Sequence, residues 1–181
     1  MELIDILRCP KTRNRLRFDD GDSVVRVHGS DLTYPVVDGI VDFSPDVKDK
    51  TSQAYDRFAF LYDVYMSYFA SPGTFGKMFD RLVWGFSGDG GTTDDVLSHL
   101  PAEFGGVLLD VPVGTGLFTC SRYTGFPNAT IVAFDYSMGM VQKARKRFLE
   151  HGVKNVHLFR ADVANMPVQD DSVDIVLSMA G

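Results

Sequence analysis

A chain of 181 residues, 45% hydrophobic and 23% charged, can bury one sizeable core, which excludes a disordered chain. Its net charge of −6 argues against a broad nucleic-acid-binding surface, because phosphate binding favours a basic face. Cys9 and Cys120 form no C-x-x-C pair, no apolar run could span a membrane, and the first residues show no signal-peptide pattern. We therefore expect a cytoplasmic protein without a membrane span.

Residues 1–46 are predicted to form a small β-rich module. Short alternating segments, separated by turn residues, predict strands at 16–18, 24–28, 32–34 and 40–43. The turn at Ser44-Pro45-Asp46 is the expected boundary of this module. Between residues 47 and 100 apolar residues recur every three or four positions, which predicts helices. The first of these helices carries Tyr55 and Tyr62 on its apolar face.

Strands and helices alternate from residue 106 onwards. Apolar runs predict strands at 107–109, 130–134, 156–159 and 173–178, with helices between them. This alternation implies right-handed βαβ crossovers and a parallel sheet. The predicted fold class is therefore α/β, with a Rossmann-like sheet over residues 47–181 and the β-rich module before it.

The segment 109–116 (Leu-Asp-Val-Pro-Val-Gly-Thr-Gly) leaves the first buried strand and enters a helix. Gly114 and Gly116 would let the backbone approach a ligand closely, and the N–H groups at a helix N-terminus are free to bind it. Asp110, at the strand end, is well placed for a cationic group. The dinucleotide fingerprint G-x-G-x-x-G is absent, because Thr119 occupies the position of its third glycine.

Acidic residues also follow the next two strands. Asp135 lies 19 residues after Gly116 and could accept hydrogen bonds from both hydroxyls of a ribose. Asp162 follows the third strand and could accept from an adenine amino group. Plainer readings exist for both, since Asp135 could cap the following helix and Asp162 could be an ordinary loop residue. Three acids after three successive strands nevertheless favour a pocket for an adenosine-containing ligand.

Four motifs, in this order, resemble those of the class I S-adenosylmethionine (SAM)-dependent methyltransferases. They are D-x-x-x-G-x-G at 110–116, F-D-Y-S-x-x-M at 134–140, A-D-V-x-x-M-P at 161–167 and D-D-S-V-D-I-V at 170–176. The resemblance covers roughly residues 51–181 and is greatest to the small-molecule type that includes quinone-biosynthesis enzymes. It implies SAM as the cofactor, bound by the following residues: Asp110, Pro112, Gly114, Thr115, Gly116, Asp135, Tyr136, Ser137, Met140, Asp162, Val163, Ser178 and, on a lid helix, Tyr55 and Tyr62.

The resemblance divides these residues among the parts of the cofactor. Asp110 and the glycine turn would line the methionine end, Asp135 would bind the ribose, and Asp162 with Val163 would contact adenine. Ser178, just after the fourth strand, stands where the family faces its acceptor. Two features depart from the family pattern. Pro112 replaces a usual glycine, and the sequence ends after the fourth strand, so we expect a fragment or a sheet completed by another chain.

The N-terminal residues resemble the zinc-ribbon-like module of tRNA-methyltransferase activator proteins. The resemblance rests on Leu3-x-x-x-Leu7-x-Cys9-Pro10-x-Thr12 and on Tyr34-Pro35-Val36-Val37-Asp38-Gly39-Ile40. A structural zinc site needs four ligands. Thr12 occupies the second cysteine position and only His28 could join Cys9, so we predict a degenerate ribbon without metal that serves packing or docking.

The predicted function is a SAM-dependent methyltransferase acting on a small-molecule acceptor, with nucleic acid not expected as a partner. No catalytic base can be named from the sequence. One alternative is a non-catalytic SAM-binding or partner-docking fragment, with a homo-oligomer or a second chain completing the sheet. Another is an NAD-dependent oxidoreductase, against which the missing third glycine and the Asp162-Val163 motif count.

Overall fold

The computed structural model of the protein describes residues 3–18, 21, 23–45 and 91–179, and in the helix at 91–98 it describes side chains from residue 95 onwards. The predicted helices between residues 47 and 90 lie outside the described residues, and so do Tyr55 and Tyr62. Among the helices that are described, none has the length and apolar character needed to cross a membrane.

The described elements follow the predicted order, with shifted ends. The N-terminal part contains α1 (Leu3–Ile6), β1 (Leu16–Arg17), β2 (Val24–Val27), β3 (Thr33–Val37) and β4 (Ile40–Asp42). The C-terminal part contains α2 (Gly91–Ser98), β5 (Val107–Asp110), α3 (Cys120–Tyr123), β6 (Thr130–Asp135), α4 (Met138–Glu150), β7 (Val156–Arg160), a 3₁₀ turn (Val163–Asn165) and β8 (Ile175–Leu177).

All the described strands belong to one sheet with the order β1-β2-β3-β4-β7-β6-β5-β8. Strands β5 to β8 pair in parallel, and their order places β5 beside β8, where the direction of winding changes. This arrangement confirms the predicted α/β, Rossmann-like sheet. The first four strands pair antiparallel with one another, and β4 then pairs in parallel with β7. The N-terminal part therefore covers the edge of β7, which would otherwise present unpaired backbone groups.

Alternate residues of the central strands fill two cores, one on each face of the sheet. Leu109, Val132 and Phe134 face one core, which also contains Ile6, Leu7, Cys9 and Tyr34 from the N-terminal part. Leu108, Ile131 and Ala133 face the other core, which is covered by Ala144 and Phe148 of α4. This period of two, with both faces buried, explains the continuous apolar runs in the sequence.

Helix α4 begins and ends at residues with clear capping interactions. Ser137 is its N-cap, and the hydroxyl oxygen accepts a hydrogen bond from the Met140 N–H at 3.2 Å. At the other end, the His151 N–H donates to the Arg147 carbonyl at 3.1 Å, and Gly152 follows in the left-handed region at φ 73°. The N-cap at Ser137 therefore places the start of the helix close to the end of β6.

Backbone hydrogen bonds tie the N-terminal part to the rest of the fold: the Arg8 N–H donates to the Pro167 carbonyl at 3.0 Å, and the Gln169 N–H donates to the Ile6 carbonyl at 2.7 Å. The predicted domain boundary at residue 46 lies just outside the described residues and stays a prediction. Cys9 Sγ lies 3.2 Å from Tyr34 Oη and accepts a hydrogen bond from the Thr12 N–H at 3.4 Å. His28 is exposed. Within the described ranges no three His, Cys, Asp or Glu side chains gather as metal ligands. The ribbon without metal likewise stays a prediction.

Candidate functional site

The carboxyl ends of β5, β6 and β7 meet at one edge of the sheet. The strand register places Asp110 beside Ala133 and Asp135 beside Arg160. Beyond the strands, the Val113 N–H donates to the Phe134 carbonyl at 3.0 Å, and the Ala161 N–H donates to the Asp135 carbonyl at 3.0 Å. The segments that follow the three strands are therefore held side by side, at the position where α/β sheets bind ligands.

Two glycines give the turn after β5 its shape, for different reasons. Both are left-handed, Gly114 with φ 56° and Gly116 with φ 67°. A Cβ on Gly114 would have no atom of the described residues within 4 Å. A Cβ on Gly116 would lie 2.8 Å from Cζ of Phe148, so this glycine lets the turn pack against α4. Among the described residues, the open side of the turn is therefore at Gly114. Pro112 lies two residues before Gly114; its peptide bond with Val111 is cis, and its side chain is partly exposed.

Asp135 joins this turn to the start of α4. Its Oδ2 accepts a hydrogen bond from the Gly114 N–H at 3.0 Å, and its Oδ1 accepts from the Ser137 N–H at 2.9 Å. The N-cap of α4 is Ser137, so Asp135 is not the capping residue. A partly exposed carboxylate thus lies beside the open space at Gly114.

Asp110 lies beneath the turn. Its side chain is almost inaccessible, at 1% exposure, and Oδ2 accepts a hydrogen bond from the Tyr123 hydroxyl at 2.7 Å. Burial raises the pKa of Asp110 to about 7, against the lowering effect of hydrogen bonds from Tyr123 and Thr119. Asp110 therefore anchors α3 under the turn and titrates near neutral pH.

The remaining predicted residues lie at or near the same edge. Asp162 accepts a hydrogen bond from the Ala164 N–H at 2.9 Å and so starts the 3₁₀ turn, and Val163 beside it is 61% exposed. The Val111 N–H donates to the Leu177 carbonyl at 2.9 Å, which brings exposed Ser178 to this edge on the other side of β5. Three further predicted residues complete the edge: Thr115 and Met140 are buried, and Tyr136 is partly exposed.

Two arginines hold the site segments in place, and no sequence motif indicated either of them. Arg147 of α4 donates to the hydroxyl of Thr115 at 2.8 Å and also to the Thr115 carbonyl. Arg160, at the end of β7, donates from Nε to the Tyr136 carbonyl at 3.0 Å and from Nη1 to Asp42 at 3.0 Å. A basic residue late in a helix and another at a strand end resemble ordinary surface charges in the sequence, so no signal there could have found these roles.

A large cavity lies away from this cluster. It has a volume of about 570 Å³ and lies between Pro10 and Arg13 of the N-terminal part and residues 163–173 of the C-terminal part. Among the predicted site residues that the structure describes, it contacts Val163 alone, and it also contacts Leu109, which precedes Asp110 in β5. Its described lining thus leaves out the turn at Gly114 and the carboxylate of Asp135.

Comparison with known proteins shows which proteins this part of the chain is similar to. The family model described as "Methyltransferase domain" matches residues 108–181. The malonyl-[acyl-carrier protein] O-methyltransferase of Xylella fastidiosa is 37% identical over 82 residues, which cover 45% of this chain and 27% of the relative. These matches support a class I SAM-dependent methyltransferase domain over residues 108–181.

Other known methyltransferases are also similar to parts of this chain. The demethylmenaquinone methyltransferase of Clavibacter sepedonicus is 38% identical over 69 residues, covering 38% of this chain and 26% of the relative. A solved SAM-dependent methyltransferase from Thiobacillus denitrificans, in complex with S-adenosyl-L-homocysteine, is 23% identical, with a TM-score of 0.42, and the match covers 49% of this chain and 36% of that one. The chain spans about a quarter of the length of the curated relatives it matches, 27% in the first and 26% in the second.

The cofactor of this family is SAM, and the described residues fit it. The backbone at Gly114 borders open space that a side chain at this position would enter. Asp135 lies beside this space, and a carboxylate can accept hydrogen bonds from ribose hydroxyls. The match to the methyltransferase family also favours this cofactor over the NAD alternative.

Proposed function

We propose that this chain binds SAM at the carboxyl ends of β5, β6 and β7, and that it acts as part of a methyltransferase for a small-molecule acceptor. The observation that supports this most directly is the hydrogen bond from the Gly114 N–H to the Asp135 carboxylate at 3.0 Å. It joins the turn with open space above it to the acid suited to ribose. Asp162 follows the adjacent strand at the same edge.

Each part of the cofactor then has its own set of residues. The methionine end lies along the turn, above buried Asp110, and a bound ammonium group would favour the ionised form of Asp110. Asp135 accepts from the ribose hydroxyls in addition to the two backbone N–H groups, of Gly114 and Ser137, that already donate to its carboxylate. Asp162 and Val163 contact the adenine. The other predicted residues shape the turn, the start of α4 and the acceptor side: Pro112, Thr115, Gly116, Tyr136, Ser137, Met140 and Ser178.

The bound sulfonium supplies a methyl group that is already activated for transfer. The residues of this chain then serve to hold the cofactor in one orientation, so that an acceptor can approach in line with the S–CH3 bond. Orientation of this kind can contribute roughly 7–11 kcal/mol to catalysis. Because the methyl group is activated by the sulfonium itself, a base is needed only for an acceptor that must lose a proton.

The acceptor class and the setting are part of the same proposal. The names of two relatives specify a malonyl group on an acyl-carrier protein and demethylmenaquinone, which supports a metabolite rather than a nucleic acid. Cys9 and Cys120 are both free thiols, as expected in a reducing cytoplasm. Lid contacts from Tyr55 and Tyr62, and a second copy or chain completing the sheet, also remain proposals.

Calorimetric titration with SAM and with S-adenosylhomocysteine (SAH) tests the proposed cofactor site. We expect the wild-type chain to bind both and the Asp135→Asn variant to bind them about 10- to 100-fold more weakly, because one charge-assisted hydrogen-bonding group is lost. Asp31→Asn removes an equal charge from an exposed turn of the N-terminal part and should bind like the wild type. Binding of NAD without binding of either SAM or SAH would contradict the proposal.

Transfer of a radiolabelled methyl group from SAM tests the activity and the acceptor class. Label appearing in the small-molecule fraction of a cell extract supports the proposed acceptor, and label appearing in RNA contradicts it. A chain that binds SAH but transfers no methyl group, alone or with added partner fractions, would favour the non-catalytic alternative. Size measurement by light scattering then shows whether an active species contains more than one copy.

A further inference from the structure

We propose that Asp42, in strand β4 of the N-terminal part, is a positioning residue of the cofactor site. It acts through Arg160 on the backbone of Tyr136, the residue between Asp135 and Ser137. This inference rests on the proposed function, because it concerns the same site. It assigns to the N-terminal part a specific effect on cofactor affinity, beyond covering the edge of β7.

Asp42 is fixed at the junction of the two parts of the chain. It lies opposite Arg160 in the parallel pairing of β4 with β7, and the Phe43 N–H donates to the Arg160 carbonyl at 2.8 Å. Its Oδ1 accepts a hydrogen bond from the Ser44 N–H at 2.9 Å. Backbone pairing and this turn therefore determine where the carboxylate lies.

The other carboxylate oxygen of Asp42 holds the guanidinium group of Arg160. Oδ2 lies 3.0 Å from Nη1, and both side chains are only 9% exposed. Solvent screening of this ion pair is accordingly weak, and either charge without the other would be costly to bury. The guanidinium is planar and rigid, so fixing Nη1 also determines the direction of its Nε–H bond.

That N–H bond points to the cofactor site. Nε donates to the Tyr136 carbonyl at 3.0 Å, and the guanidinium carbon lies 6.0 Å from the centre of the Tyr136 ring. The Tyr136 carbonyl belongs to the peptide unit whose N–H, that of Ser137, donates to Oδ1 of Asp135 at 2.9 Å. The other carboxylate oxygen of Asp135 accepts from the Gly114 N–H at 3.0 Å. A shift of the Tyr136 carbonyl would therefore turn the Asp135 carboxylate relative to the ribose that it is proposed to bind.

A purely stabilising role accounts less well for this arrangement. Buried ion pairs contribute little net stability, because desolvation offsets most of their attraction, and apolar replacements often fold as well. What an apolar pair could not provide is the donor to the Tyr136 carbonyl. Asp42 is also 118 residues from Arg160 in the chain and lies outside the segment 108–181 that matches the methyltransferase family, so this contact is a feature of the N-terminal part.

A double-mutant cycle with SAH as the titrated ligand tests the proposal. The dissociation constant is measured for the wild type, Asp42→Asn, Asp135→Asn and the double variant, at a temperature where urea titration shows each to be folded. We expect Asp42→Asn to weaken binding about 2- to 30-fold. In the Asp135→Asn background the same change should have little further effect, because both act on one group. Gln142→Ala, which removes another contact between the two parts, at Asp38, serves as the matched control and should bind like the wild type.

The outcomes separate this inference from the proposed function. If the wild type binds no SAH, the proposed function and this inference both fail. If the wild type binds and folded Asp42→Asn binds equally well, or if the two effects simply multiply, only this inference fails. Should Asp42→Asn not fold, the pair Asp42→Leu with Arg160→Met takes its place in the cycle. This pair removes the buried charges together, and a similar weakening of SAH binding is expected, because the Tyr136 carbonyl then has no donor from residue 160 to hold it.

Discussion

The two glycines of the turn should respond differently to substitution by alanine. Gly116→Ala should lose more unfolding free energy, whereas Gly114→Ala should lose less of it but should weaken cofactor binding. Gly114 and Gly116 have similar positive φ values, 56° and 67°. An alanine in this left-handed region costs roughly 1–2 kcal/mol at either position. The surroundings of the added methyl group then distinguish the two variants.

At Gly116 the methyl group would overlap an immobile neighbour. It would lie 2.8 Å from Cζ of Phe148 and 3.3 Å from both Cε atoms. Phe148 is 2% exposed and stacks on Tyr123 with ring centres 5.9 Å apart, so it cannot move aside easily. Overpacking adds roughly 1–3 kcal/mol, so Gly116→Ala should lose about 2–5 kcal/mol of unfolding free energy in total.

At Gly114 the methyl group meets no atom of the described residues within 4 Å. Gly114→Ala should therefore lose only the backbone cost of about 1–2 kcal/mol. It would, however, occupy the space proposed for the cofactor, and we expect SAH binding to weaken more than about tenfold, equivalent to about 1.4 kcal/mol.

Urea denaturation followed by circular dichroism gives the unfolding free energies, and calorimetric titration of each folded variant gives the affinities. The packing argument would be refuted if Gly114→Ala lost as much stability as Gly116→Ala. The position of the cofactor would be refuted if folded Gly114→Ala bound SAH as tightly as the wild type.

Three further substitutions test individual contacts by urea denaturation. Burial raises the pKa of Asp110 from 3.8 to about 7, so its charge destabilises the fold increasingly as pH rises between these values, by up to about 1.4 kcal/mol per pH unit. Asp110→Asn should remove this dependence, and identical pH profiles for the two proteins would contradict it. Ser137→Ala removes the cap that accepts from the Met140 N–H and should cost about 1 kcal/mol; an unchanged midpoint would show that the cap contributes nothing. Asn155 donates to two backbone carbonyls at 2.8 Å. Asn155→Ala should therefore lower the unfolding free energy by about 1–3 kcal/mol. A smaller loss would indicate that water replaces the amide.

The sequence predicted best what depends on local patterns. The buried run at β5 and the apolar spacing of α4 each determine an element without reference to distant residues, and both were found close to the predicted positions. The turn with Gly114 was also predictable, because glycine there is required by a positive φ. The parallel pairing of β5 to β8 followed from the alternation of strands and helices.

Contacts between distant segments could not be predicted. Nothing near Asp42 or Arg160 indicates that one chain segment pairs with the other, because parallel pairing leaves no local turn signal. The hydrogen bond from the Tyr123 hydroxyl to Asp110 is a second example. The direction of a side chain beneath a turn depends on packing, so the sequence did not indicate this contact. The contact of Asp110 with the cofactor stays a prediction. Tyr55 and Tyr62 lie outside the described residues, so their contact with the cofactor stays a prediction.

The pairing of β4 with β7 has a consequence for synthesis of the chain on the ribosome. Asp42 precedes Arg160 by 118 residues, so at about 5–20 residues per second β4 is made on the order of ten seconds before its partner. The hairpin contacts between β2, β3 and β4 are local and can form at once, but the free side of β4 has no β7 to pair with during this interval. The nascent N-terminal strands therefore present an open edge until β7 (Val156–Arg160) has emerged, and this is the stage at which chaperones would have most effect on the yield of folded protein.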